Sequence, residues 1–158
     1  MLTFSAAALQ ILLLVYVAVS DVKTREISNT VCLLIAAFAI ARLPFDDFQH
    51  LVPLLYVTAL LFVLLLILYG RKLLGGGDVK LLTALAIGLS LTEVFQLLYV
   101  TVIAGAVVAL VYLAMRLPPY PSLPTSFSER WRNLLHTPLP YGVAIACGGV
   151  WVVVSHGV

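Results

Sequence analysis

The chain has 158 residues, of which 63% are hydrophobic and only 10% charged, with a mean hydropathy of +1.13. A soluble domain of this length is nearer half apolar and a quarter charged, so the composition excludes that class and points to an integral membrane protein. A net charge of +2 on so few ionisable groups leaves no basic patch for nucleic acid, and Cys32 and Cys147 lie in apolar runs without metal or disulfide spacing, so no metal or other cofactor is expected.

Hydropathy predicts one membrane domain over residues 1–158, an all-α bundle of six transmembrane helices. They fall at about 3–20, 28–43, 51–69, 79–91, 94–115 and 140–156. The first run ends in Ala18-Val19-Ser20, which has the small-residue look of a signal cleavage site. No Lys or Arg precedes it, and Met1–Ser20 nearly reaches spanning length, so a first transmembrane helix is the expectation. Asp21 ends this span and begins the short polar connection Asp21-Val22-Lys23-Thr24-Arg25-Glu26-Ile27-Ser28-Asn29. Glu26 is expected to be solvated, and so are Asp46, Asp47 and His50 in the loop after span two.

Span three runs into Arg71 and Lys72, and then Gly75-Gly76-Gly77-Asp78-Val79-Lys80 opens span four. At about 1.5 Å per residue, Val79–Leu91 rises only about 20 Å, so one of its ends is expected below the headgroups. Glu93 falls in the short turn before span five, as a solvated or capping group. Residues 116–140 carry Pro118, Pro119, Pro121, Pro124, Pro138 and Pro140, which oppose regular helix at both ends of the stretch. Between them, Ser126 and Glu129 have capping-box spacing, and Phe127, Trp131, Leu134 and Leu135 recur on one face. A short amphipathic helix on the membrane interface is expected there, as a passive anchor. Ala84 with Gly88, Gly142 with Ala146, and Gly105 read as small residues that let helices pack closely. His136 and His156 lack partners at metal-ligand spacing.

Orientation follows from the basic residues. Lys23, Arg25, Arg71, Lys72, Lys80, Arg116, Arg130 and Arg132 fall in the loops after spans one, three and five, against Arg42 alone in the opposite loops. The positive-inside rule then puts Asp21, the glycine run and the long fifth loop in the cytoplasm, with both termini outside.

Asp21 and Asp78 are the two acids at the edges of membrane spans, on one predicted face. A carboxylate at membrane depth costs roughly 2.5–3.5 kcal/mol on insertion scales, which makes a functional role the default reading. If their helix ends meet, like charges cannot both ionise readily. One carboxyl then keeps a proton while the other polarises a water, which attacks an amide carbonyl. Asp78 at a helix N-terminus is the expected base, and Asp21 near a helix C-terminus the expected protonated partner. Three successive glycines are expected to supply backbone conformations closed to other residues and to let a substrate strand approach. Read separately, Asp78 is an N-cap on a flexible loop and Asp21 an interfacial charge beside Lys23 and Arg25.

Asp21 followed by Ile27-Ser28-Asn29, together with Gly75-x-Gly77-Asp78-Val79-Lys80 opening span four, resembles the type IV prepilin peptidases, the GxGD class of intramembrane aspartyl proteases. The likeness extends over the six-span layout and the Pro138–Gly142 stretch. It implies cleavage of prepilin leaders at the cytoplasmic side of the bacterial inner membrane, after a glycine between a basic leader and an apolar helix. It also implies Asp21 and Asp78 as catalytic residues, Gly75 and Gly77 as the shapers of the loop, Lys80 as a local assistant, and pilus-assembly machinery among the partners. Only about seven residues separate spans one and two, without a cysteine pair. The chain therefore resembles the compact Flp/Tad-type enzymes that lack the methyltransferase region, and Ser28 stands where many relatives have proline. The alternatives are a small proton-coupled transporter using the same acids as a relay, or a scaffold in a secretion assembly.

Overall fold

The computed structural model describes residues 2–24, 27–41, 43, 45–116 and 141–155. Among these residues the chain forms six helices and no strand: α1 (Leu2–Thr24), α2 (Asn29–Ile40), α3 (Phe48–Gly70), α4 (Gly76–Ala86), α5 (Leu91–Arg116) and α6 (Tyr141–Ser155). The all-helical class agrees with the hydropathy reading. Three helices are long and apolar enough to cross a membrane, over Ala7–Thr24, Phe48–Gly70 and Leu91–Met115, and α2 and α6 are shorter apolar helices. The interfacial helix expected at 126–135 lies outside the described residues, as do Arg25, Glu26, His136 and His156.

The helix ends are set by local chemistry. Asp47 caps α3 by accepting from the backbone N–H groups of Gln49 at 3.0 Å and His50 at 3.4 Å. Its other oxygen meets the His50 ring at 2.6 Å, a hydrogen bond that holds the Asp47 carboxyl below the usual carboxylate range. The C-terminus of α3 closes with Leu73 N–H on the Leu68 carbonyl and Lys72 N–H on that of Tyr69, which puts Lys72 in the left-handed region at φ 59°. At the start of α5, Glu93 accepts from Ser90 N–H at 2.6 Å while its own N–H faces the Ser90 hydroxyl at 3.4 Å, a reciprocal cap.

Helix α4 differs from its expected span. It begins three residues earlier and stops at Ala86, so its 11 residues rise only about 16 Å. Gly88, expected inside the span as a packing partner of Ala84, lies beyond the helix at φ 81° and turns the chain away. The Ala86 carbonyl accepts from Leu89 N–H at 3.1 Å, and the Thr58 hydroxyl of α3 lies 3.0 Å from it and equally 3.0 Å from the Leu54 carbonyl of its own helix.

This short helix is the hub of the bundle. It packs against α2, α3 and α6, while α6 lies between α1 and α5. Asp78, Val79, Leu81, Leu82, Ala84, Leu85 and Ala86 are all buried, because α4 has neighbours on most sides. Glycines in α6 make the approach possible: a Cβ on Gly149 would stand 3.0 Å from Leu14 of α1 and 3.1 Å from Leu85 of α4. A Cβ on Gly148 would stand 2.8 Å from the Leu97 carbonyl of α5 and press on the Thr101 hydroxyl. Gly105 of α5 meets Ala144 of α6 as ordinary packing. Outside this core, Leu12, Leu33, Val52, Val102, Leu110 and Val154 are exposed on five helices. Apolar exteriors of that extent suit lipid and not water, and the protein is a membrane protein.

Candidate active site

Asp21 and Asp78 are the buried acidic side chains among the described residues, at 6% and 8% exposure. Helical periodicity explains how each is carried inward. Gln10, Leu14, Val17 and Asp21 follow one another at steps of four, three and four, and all are buried on one stripe of α1. Asp78, Leu81, Leu82 and Leu85 do the same on α4. Helix α1 runs on to Thr24, so Asp21 lies in its last turn and not beyond its end.

Each carboxylate is held by a main-chain N–H. Gly75 N–H, at the N-cap of α4, donates to Asp78 Oδ2 at 3.2 Å. Gly142 N–H, in the first turn of α6, donates to Asp21 Oδ2 at 2.7 Å across 121 positions of sequence. The first N–H groups of a helix have no intrahelical acceptor, so α6 aims a ready donor at Asp21. This overturns the helix-end argument that separated the two acids. Asp21 does end one helix, but it meets the N-terminus of another, and both acids now face the same kind of donor.

Asp78 lies in the first turn of α4, and Asp21 is bonded to the first turn of α6, a helix that packs against α4. Around them the glycines work by lacking a side chain. None of Gly75, Gly76 and Gly77 has a positive φ, and Gly75 sits at φ −76°, ψ 149°, which any residue can adopt. The expected special backbone conformations are therefore absent. A Cβ on Gly75 would lie 3.0 Å from Asp78 Oδ2, and one on Gly77 would lie 3.3 Å from Ile27. Gly142 is tighter still, since its Cβ would lie 2.8 Å from both Cγ and Oδ2 of Asp21.

Lys80 takes a different direction. Its exposed ammonium donates to Asn29 Oδ1 at 3.0 Å and so ties α4 to the start of α2. Ser28, the N-cap of α2, has φ −63°, a value that proline also adopts, so serine here leaves the turn intact. Asp47 and His50 pair with each other and Glu93 caps α5, all away from the two buried acids. Among the described residues no three His, Cys, Asp or Glu side chains are grouped to hold a metal ion.

Sequence reasoning passed over Gly142 as a site residue and read it as packing. A glycine in the first turn of an apolar helix marks a close approach, but nothing local says that an aspartate 121 positions earlier is what approaches. Two buried carboxyls on different helices, each hydrogen-bonded to a main-chain N–H, set acid–base groups apart from bulk water.

Comparison with curated proteins and with solved structures gives no match. A family profile matches residues 8–112, a stretch that holds both buried aspartates and the glycine run, and its description is the type IV leader peptidase family. The profile covers well over half of the chain, which agrees with the resemblance carried by Asp21 and the Gly75–Lys80 motif, and the chain belongs to the type IV leader peptidase family.

Proposed function

We propose that the protein is an intramembrane aspartyl endopeptidase that removes the basic leader from type IV prepilin-like substrates, of Flp type, with Asp21 and Asp78 as its catalytic pair. The observation that carries this reading is the burial of these two acids, each held by a main-chain N–H at the start of a helix, in a chain of a leader peptidase family. In the reaction, the ionised carboxylate takes a proton from a water lying between the two acids. The oxygen of that water attacks the scissile carbonyl, and the protonated partner donates a hydrogen bond to the developing oxyanion. Collapse of the tetrahedral intermediate breaks the C–N bond, and a proton from the pair passes to the leaving amine. One carboxyl is thereby left protonated and the other ionised, as at the start.

In this reading the six helices all belong to the membrane domain, with the short α4 holding Asp78 below the headgroups and the amphipathic segment at 126–135 lying on the interface. The basic residues favour an active site facing the cytoplasm of a bacterial inner membrane, with both termini outside. The short connection between α1 and α2 supports the compact Flp/Tad-type form, a peptidase without methyltransferase activity. Gly75 and Gly77 shape the loop by leaving room for Asp78 and Ile27. Lys80 supports it at one remove, by tying α4 to α2 through Asn29.

The test uses purified protein with a prepilin-like peptide, alongside Asp21→Ala and Asp78→Ala. Specific cleavage after the leader glycine is expected, with loss in both variants. Cleavage that persists in either variant removes the pair from the mechanism.

A further inference from the structure

A groove of about 420 Å³ lies between α2 and α4, away from the two buried aspartates. Leu33, Phe62 and Ile87 wall it, and Asn29 and Lys80 line it at the end of the bundle where α2 and α4 begin. From Asn29 to Ala36 it follows α2 for about 10 Å, a third of the roughly 30 Å hydrocarbon layer. Leu33 is 69% exposed and Phe62 41%, so the groove opens to the apolar exterior.

Its charge says what fits. Lys80 Nζ carries three donors, and one goes to Asn29 Oδ1. Among the described residues no carboxylate lies within ion-pair distance of Lys80. Lys23, Arg71 and Lys72 lie at the same end of the bundle, where α1 and α3 finish, while among the described residues the acids there, Asp21 and Asp78, are buried. An occupant therefore needs an anionic head joined to an apolar chain. A basic leader adjoining an apolar stem would set like charge beside Lys80, so the proposed substrate is the poorer fit.

We propose that this groove binds an anionic phospholipid, with its phosphate on Lys80 and Asn29 and one acyl chain along Leu33, Phe62 and Ile87. The lipid fills the gap between α2 and α4 next to the helix that carries Asp78. This holds whether or not the peptidase reading does, because it rests only on the groove, the cation and the membrane setting.

The test is photolabelling of the purified full chain in nanodiscs, with phosphatidylglycerol bearing a diazirine in mid-chain and with phosphatidylcholine of the same chains. Labelled positions are mapped by mass spectrometry. Labelling by phosphatidylglycerol is expected on Leu33, Ala36, Phe62 and Ile87, several-fold above that by phosphatidylcholine. One juxtamembrane lysine changes anionic lipid binding about fivefold, so Lys80→Gln should lower the label by that factor. Lys80→Arg should retain it, and so should Lys72→Gln, at the same end but outside the groove. Leu33→Trp, which fills the groove, should abolish labelling by either lipid. Equal labelling by the two lipids, or Lys80→Gln labelled as wild type, overturns the proposal. So does displacement of both lipids alike by an apolar stem peptide, which would make the groove a peptide site.

Discussion

Replacing Gly142 by alanine places a methyl group against the carboxylate that it now serves. The new Cβ would lie 2.8 Å from Cγ and Oδ2 of Asp21 and 2.9 Å from its Cβ. Ordinary carbon contacts begin near 3.5 Å, so the side chain must retreat by roughly 0.7 Å or α6 must move outward. Either shift stretches the 2.7 Å bond from Gly142 N–H past useful geometry. A hydrogen bond to a charged group is worth about 1.5–3 kcal/mol, and overpacking adds about 1–3 kcal/mol. In the proposed reaction, displacing a catalytic group by about 1 Å costs on the order of 100-fold in rate. The expected outcome for Gly142→Ala is therefore cleavage of a prepilin-like peptide reduced about 10- to 100-fold, with a folded protein of lower melting temperature. A double-mutant cycle locates the cause, because the stability cost of Gly142→Ala should shrink in an Asp21→Ala background, where the carboxylate is gone. A variant that cleaves within twofold of wild type would refute the contact as a working part of the site.

Three further outcomes test the fold. Lys72 occupies a left-handed position that costs a side chain about 1 kcal/mol or more, so Lys72→Gly should raise the melting temperature, and a fall would contradict the Schellman closure of α3. Gly148→Ala sets a Cβ 2.8 Å from the Leu97 carbonyl, a backbone atom that cannot rotate away, and should cost about 1–3 kcal/mol in detergent unfolding. The Asp47 carboxyl, held below its ordinary value near 3.9 by the His50 hydrogen bond, contributes stability that is present above that value and lost as pH falls through the lower folded one. Asp47→Asn keeps a capping oxygen, so its melting temperature should trail wild type at pH 6 and converge with it in strong acid. A constant gap across the titration would contradict the coupling.

Much of the helical layout was legible because it follows from local terms. Long apolar runs must satisfy their backbone hydrogen bonds internally, which makes them helices, and hydropathy places them. Glu93, expected as a solvated or capping group, does cap α5, whereas Asp47 was expected to be solvated and instead caps α3 through the N–H groups two and three residues on. The end of α4 was misread because Gly88 looks the same in sequence whether it packs inside a helix or ends one through a positive φ. The glycine run was misread for a related reason. A glycine chosen for its φ and one chosen for its missing Cβ are the same letter, and only the neighbours Asp78 and Ile27 tell them apart.

By itself the amino-acid sequence determined the membrane class, the approximate helices and the two acids, because hydropathy, helical period and the expense of a carboxylate in lipid are properties of a residue and its near neighbours. Tertiary structure alone decided that α6 brings its N-terminal turn to Asp21, that Gly142 must lack a side chain, and that Lys80 faces Asn29. Those are contacts between helices far apart in the chain, and they exist only once close packing has chosen which faces meet.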